Sequence, residues 1–308
     1  MNQTFYKEII EGLSKPQKTL SSKYFYDDAG DKIFQEIMQM EEYYLPKCEL
    51  EILNQQTEKI VNSFGYDSFD IVGLGAGDGS KTKHFLKRIS DLNKKVVYYP
   101  LDISADVLET NKKNITEHIP SIEMYPIAGD YFETLDRLVH DNPKIILFLG
   151  STIGNYDNES AELFMKKIYD MMDERDILMV SFDLKKNPHK VLAAYNDANG
   201  ITKRFNMNLL KRINRELNGN FDLEKFDHYP YYDPISGTTY SYIFSTIRQT
   251  VTIGDKEINF KANEMIHTEI SQKYSLKTIE NFKNNIGFKS VEHFLDEGKN
   301  YAISLFKK

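Results

Sequence analysis

The sequence predicts an α/β protein, with a mainly parallel, doubly wound sheet and a stretch of different rhythm that suggests an inserted domain. Three observations point there. Apolar runs occur at 69–75, 96–103, 122–128, 145–149 and 177–183, with helical stretches at 80–90, 104–118 and 158–173 between most of them. The first run opens into a glycine-rich loop, and after Asp183 the rhythm changes. Continuous apolar strands alternating with helices indicate a parallel sheet covered on both faces.

Taken in order, the N-terminal 48 residues are largely helical. Phe5, Ile9, Ile10 and Leu13 form one apolar face, which Ser14-Lys15-Pro16 breaks. An aromatic stretch, Lys23-Tyr24-Phe25-Tyr26-Asp27, leads to a helix over 31–40, and Glu42-Tyr43-Tyr44 precedes Pro46. Paired tyrosines beside a proline also suit simple packing at a domain edge. A further helix over 49–63 carries Leu50, Ile52, Leu53, Ile60 and Val61 on its apolar side.

The loop Gly73-Leu74-Gly75-Ala76-Gly77-Asp78-Gly79-Ser80-Lys81-Thr82 has glycine at every second position, which allows a tight turn and close approach to a ligand. A dinucleotide loop needs glycine at relative positions one, three and six. Counted from Gly73 the sixth position is Asp78, and from Gly75 it is Ser80, so both frames fail. A P-loop needs glycine directly before its lysine, and Ser80 intervenes. The pattern suits a nucleoside with an amino-acid tail, with S-adenosylmethionine the obvious candidate; a tight turn without ligand remains the alternative.

Ligands of such sheets sit beyond the carboxyl ends of the strands. Asp102 ends the second run, where a carboxylate suits ribose hydroxyls. Gly129-Asp130-Tyr131 ends the third, a place for adenine, and Gly150-Ser151-Thr152-Ile153-Gly154-Asn155 ends the fourth. One aspartate at a strand end is more often a helix cap. Four polar strand ends along one edge are harder to explain so.

Beyond Asp183 the sequence predicts helices over 188–198 and 203–217, loops at Pro230, Pro234 and Gly237, and two long strands, 239–253 and 257–274, around Gly254-Asp255. This hairpin fits a doubly wound sheet badly and suggests an inserted domain. A helix over 275–286 and strands over 290–295 and 301–306 then complete the main sheet.

Composition narrows the function. The net charge of −7 and the absence of a basic run argue against nucleic acid. Cys48 is the single cysteine, and the seven histidines lack zinc spacing, so no metal is expected. No apolar run approaches the ~18 residues of a membrane span. The N-terminal residues lack a signal-peptide core, and a soluble intracellular protein is expected.

Several stretches together closely resemble the histidine-specific Nα-methyltransferases of ergothioneine biosynthesis, over nearly the whole chain. They are Lys23-Tyr24-Phe25-Tyr26-Asp27, Glu42-Tyr43-Tyr44, Gly75-Ala76-Gly77 with Lys81-Thr82, and Phe148-Leu149-Gly150-Ser151-Thr152-Ile153-Gly154-Asn155. Ala194-Tyr195-Asn196-Asp197-Ala198-Asn199-Gly200, Phe205-Asn206, Asn214-Arg215-Glu216-Leu217 and Thr268-Glu269-Ile270-Ser271 with Lys273 complete the set. The glycine loop is weakly specific, whereas the long strand-end motif and the Thr-Glu-x-Ser pattern are strong.

The resemblance implies a class I (Rossmann-like) methyltransferase sheet, residues 49–183 and 275–308, binding S-adenosylmethionine. It also implies a second α/β domain for substrate recognition, formed by the N-terminal segment 1–48 and the insertion 184–274. Gly75, Lys81, Asp102, Asp130 and Tyr131 would line the methyl-donor site. Asn155 and Tyr195 would hold the substrate carboxylate, Glu269 and Ser271 the imidazole with Tyr43 beside them, and Tyr26 would lie near the reacting amine as the catalytic residue. The expected protein is a monomeric cytoplasmic enzyme making trimethylhistidine (hercynine) from L-histidine, a small-molecule substrate.

Three positions depart from the family pattern. Ser241 falls where histidine-methylating relatives typically carry methionine, which enlarges or polarises the side-chain pocket. Gly73 stands where many have glutamate, and His293-Phe294 replaces an aromatic pair. Another amino acid or aromatic amine, such as tryptophan, is the alternative substrate. A non-catalytic nucleoside-binding module is the alternative class, and it has no reason to keep Asn155, Tyr195, Glu269 and Ser271 together.

Overall fold

The apolar runs pair into one eight-stranded sheet. Its order is Ser290–Leu295, Tyr301–Lys307, Ile177–Asp183, Lys144–Phe148, Ser68–Leu74, Lys95–Asp102 and Glu123–Met124, with Ile127–Ala128 also against Lys95–Asp102. The computed structural model describes residues 2–135, 138 and 141–308. The chain divides into two compact units, Leu45–Lys185 with Lys273–Lys308 and Met1–Tyr44 with Lys186–Gln272. From sequence the borders were expected at 48, 183 and 274.

The larger unit holds this sheet. Pairs from Ser68–Leu74 outward are parallel, and Tyr301–Lys307 enters antiparallel between Ile177–Asp183 and Ser290–Leu295. Every residue of Ile177–Asp183 and Lys144–Phe148 is buried, Lys144, Ser181 and Asp183 included, so these strands read as mainly apolar runs without polar alternation. The helices Leu45–Phe64, Thr82–Asp91, Ala105–His118, Asn158–Met171 and Leu276–Ile286 belong to the same unit. Ser104, Asp157 and Ser275 cap three of them by accepting from the third residue on. One expected strand is corrected: 122–128 is two short pieces, because Pro126 between them has no N–H to offer the ladder.

The smaller unit has a four-stranded sheet in the order Lys18–Thr19, Met265–Gln272, Thr238–Ser245, Phe226–Asp233. Only the first pair is parallel. The helix Ile201–Leu217 buries Leu209, Leu210, Ile213 and Leu217 in one cluster with Ile243 and Ile266 of the sheet. Asp197 accepts the Ile201 and Thr202 amides at 2.8 Å each, and this turn ends the preceding helix, Pro188–Ala193, earlier than the expected 198.

Three more expectations here need correction. The strand 239–253 is Thr238–Ser245 followed by Gln249–Ile253, which pairs with Lys256–Phe260 in a separate two-stranded sheet. The strand 257–274 is broken at 261–264, where Asn263 adopts a left-handed φ of 62° that no extended strand tolerates. Phe226–Asp233, expected as loop at Pro230, is a strand. It lies at the sheet's edge, where a missing N–H need not break a ladder. Among the described residues no helix is long and apolar enough to cross a membrane.

Candidate active site

In the larger unit the glycine loop turns with Gly75, Gly77 and Gly79 at φ of 61°, 56° and 73°. A Cβ built on Gly75 or Gly77 would meet nothing within 4 Å, so a bare backbone surface is presented for a ligand to lie against. Gly79 has another reason: its Cβ would stand 3.0 Å from Asn111. Asn111 donates to the Gly77 carbonyl (2.9 Å) and Asn114 to the Asp78 carbonyl (2.8 Å), so helix Ala105–His118 supports the loop. Gly73 leaves room for the Tyr98 hydroxyl, 3.2 Å from where a Cβ would be.

Asp102 takes the Gly77 amide on one carboxylate oxygen and the Ser104 amide on the other, both at 3.1 Å. It fastens the loop, and each oxygen keeps a lone pair. Asp130 accepts the Phe132 amide at 2.8 Å and the Glu133 amide at 3.3 Å, as a cap to the short helix Tyr131–Leu135. Tyr131 is half-buried, edge-on to Phe164, and burial pushes its phenol well above the usual range.

Lys81 reaches a residue that sequence reasoning left as an ordinary helix position. Its ammonium lies 2.7 Å from Glu49, which is fully buried. Glu49 also accepts the Gly150 amide (2.7 Å) and the Tyr301 hydroxyl (2.9 Å). Burial alone would raise this carboxyl, but Lys81, the Gly150 amide and Ser181 outweigh it and hold it below the usual range. The strand-end motif is thereby anchored. Ser151 takes a left-handed φ of 57°, fixed by its amide donating to Ser181 Oγ and its hydroxyl oxygen accepting the Asp183 amide, both at 2.9 Å. Asn155 closes the short helix Thr152–Asn155 and is exposed.

In the smaller unit, Glu269 and Ser271 are two apart on Met265–Gln272 and share one sheet face. Tyr195 is buried and donates to Ser271 Oγ at 2.8 Å. Tyr26 packs edge-on against Phe34 and Phe205. The residue as a whole is 45% exposed. Desolvation at its hydroxyl, then Glu269, Asp31 and Tyr195, push the phenol far up, so it stays protonated. Tyr43 is half-buried against the same core. Ser241 faces Glu269 directly across the strands, and Thr239 faces Ser271.

A β-bulge between His267 and Glu269 sets this register. The Thr268 hydroxyl lies 2.9 Å from the Ser241 carbonyl and 3.0 Å from Asn206 Oδ1, while the Asn206 amide donates to the Thr202 carbonyl at 3.1 Å. Bulges re-aim the side chains beside them; here the bulge is pinned to strand and helix at once. Glu49, Asn111, Asn114 and Thr239 carried no signal in the sequence. Thr268 and Asn206 did lie within quoted motifs, but without a role.

The structure thus groups Gly75, Lys81, Asp102, Asp130, Tyr131 and Asn155 in the larger unit, and Tyr26, Tyr43, Tyr195, Glu269 and Ser271 in the smaller. Among the described residues no three His, Cys, Asp or Glu side chains are grouped to hold a metal ion.

A family model described as histidine-specific methyltransferase, SAM-dependent, matches residues 5–308. The chain belongs to this family. It is an S-adenosylmethionine-dependent methyltransferase, and S-adenosylmethionine is its methyl donor. The histidine N-alpha-methyltransferase of Mycolicibacterium smegmatis is 30% identical over 301 residues, covering 97% of this chain and 93% of that one. The L-tryptophan methyltransferase of Psilocybe serbica is 26% identical, covering 96% and 90%. The solved structure of mitomycin 7-O-methyltransferase matches at a TM-score of 0.50 and 10% identity, over 99% of this chain and 68% of that one. That likeness is one of fold alone, the α/β class I methyltransferase fold.

The bare glycine backbone fits such a donor, since it needs an uncrowded cradle and no phosphate-binding lysine placed after glycine.

Proposed function

We propose that this methyltransferase acts on the α-amine of L-histidine, adding methyl groups up to trimethylhistidine (hercynine), the first step toward ergothioneine. The observation that supports it most is the arrangement of Glu269 beside Ser271, with Tyr195 donating to Ser271. A carboxylate and a hydroxyl two residues apart on one face match the two nitrogens of an imidazole: Glu269 accepts the ring N–H and Ser271 serves the other nitrogen.

On this reading Gly75, Lys81, Asp102, Asp130 and Tyr131 hold the donor in the larger unit. The smaller unit recognises the amino acid, with Tyr43 beside the ring and Tyr26 near the amine as a neutral phenol. Asn155 serves the carboxylate; Tyr195, expected there as well, gives its one hydrogen to Ser271 and so acts on the ring side. Bound S-adenosylmethionine would supply the electrophilic methyl: the neutral amine nitrogen would bond to it as the C–S bond breaks with its electron pair left on sulfur. A proton would pass to solvent after the first and second transfers, and the third would leave a fixed positive charge with no proton to lose. The protein's part is to bind the neutral amine and fix distance and angle.

A second reading, methylation of tryptophan or another aromatic amine, draws on Ser241, a small side chain facing Glu269, and on the likeness to the Psilocybe protein. The test is incubation of the purified protein with S-adenosylmethionine and a panel of amino acids, read by mass spectrometry. Mass increments of one, two and three methyl groups on histidine are expected. A preference for tryptophan would overturn the proposal.

A further inference from the structure

Four side chains form a block on one face of the smaller unit's sheet. Glu269 is paired with Ser241, and Ser271 with Thr239. Residues directly opposite in an antiparallel pair place their Cβ atoms about 4.5–5.5 Å apart on the same face. The Thr239 side chain therefore stands beside that of Ser271. Thr239 is 1% exposed, yet its Oγ1 has no hydrogen-bond partner among the described residues. Its neighbour Thr238, on the other face, is satisfied by Gln272 Oε1 at 2.7 Å. Buried hydroxyls are almost always paired, because desolvating one without a partner brings no return. Valine has the same shape, favours strands and would carry no such penalty.

We propose that Thr239 is a further substrate-contacting residue. Its hydroxyl donates to the accepting ring nitrogen beside Ser271, as the second donor of a shared hydrogen bond or through one water. The inference rests on the assignment of Glu269 and Ser271 to the side-chain pocket. It adds that the pocket is polar along two strands, so that it selects a ring with nitrogen on that edge over an all-carbon ring.

The experiment compares wild type, Thr239→Val and Thr239→Ser in steady-state kinetics with L-histidine and in thermal unfolding without substrate. Thr239→Val is expected to raise KM at least fivefold with kcat changed less, while its unfolding midpoint stays equal to the wild type's or rises. Thr239→Ser is expected to keep KM within twofold. A hydroxyl that only supports the fold would instead lower the midpoint on removal and leave KM alone. That result, or a valine variant with wild-type KM, overturns the proposal. If the wild type does not methylate histidine, the proposed function fails. The same three proteins then test Thr239 on whichever amino acid the panel identifies.

Discussion

Tyr195 donates its phenolic hydrogen to Ser271 Oγ across 2.8 Å, within a single unit of the fold. The bond uses a lone pair of Ser271, so it does not consume the Ser271 hydrogen. It also fixes the Ser271 rotamer beside Glu269. Tyr195→Phe should therefore raise KM for histidine by roughly 0.5–1.5 kcal/mol, about twofold to thirteenfold, the usual net worth of one hydrogen bond. Affinity for S-adenosylmethionine should not change. Unaltered KM would show that this bond does not orient the pocket.

Glu269→Ala should reduce kcat/KM for histidine at least tenfold, about 1.4 kcal/mol. Phenylalanine should lose much less, because its ring offers the carboxylate no N–H. The one-sided change at Ser241 is weaker, with about 1–3 kcal/mol of discrimination for an apolar contact. Equal losses on histidine and phenylalanine would mean that Glu269 does not read the imidazole.

Asp102→Ala should weaken S-adenosylmethionine binding by roughly 1.5–3 kcal/mol, the range for hydrogen bonds to a charged group. Because Asp102 also takes the Gly77 and Ser104 amides, the loop should loosen and the unfolding midpoint should fall in the same variant. Calorimetry and a melting curve separate the two effects. Full donor affinity in a folded Asp102→Ala protein would reject the assignment.

His228 predicts an acid-sensitive fold. Burial pulls its imidazole down to about 4, against the opposing pull of Asp227, while Lys203 also lowers it and Asp197 raises it. A depressed folded value means that the unfolded chain takes up the proton first. The contribution is fully present above about pH 6.5, the unfolded value, and is lost as pH falls toward 4. It should amount to ~1–3 kcal/mol over that window. His228→Gln should flatten the decline of the unfolding midpoint between pH 6.5 and 4. An unchanged slope would place the acid sensitivity elsewhere.

Strands buried on both faces were legible because burial leaves them no polar alternation, as in Ile177–Asp183. Phe226–Asp233 was not, since Pro230 forbids a strand only if a neighbour lies on its N–H side, and local sequence does not contain that fact. Glu49 shows the same limit at the site. Its helix was expected, but its charge is explained only by Lys81, Gly150 and Tyr301, which lie 32, 101 and 252 residues away.

The sequence by itself determined that Glu269 and Ser271 share a face, because strand side chains repeat every two residues whatever the strand pairs with. It also determined the glycine turn, because only glycine enters φ near 60° at Gly75, Gly77 and Gly79 without penalty. Which residues complete the pocket was decided by tertiary structure. Ser241 and Thr239 stand opposite Glu269 and Ser271 only because the bulge at Thr268 shifts the register. A slip of one residue would turn the whole set to the other face, and Asn206, on a separate helix, helps hold Thr268 against that slip.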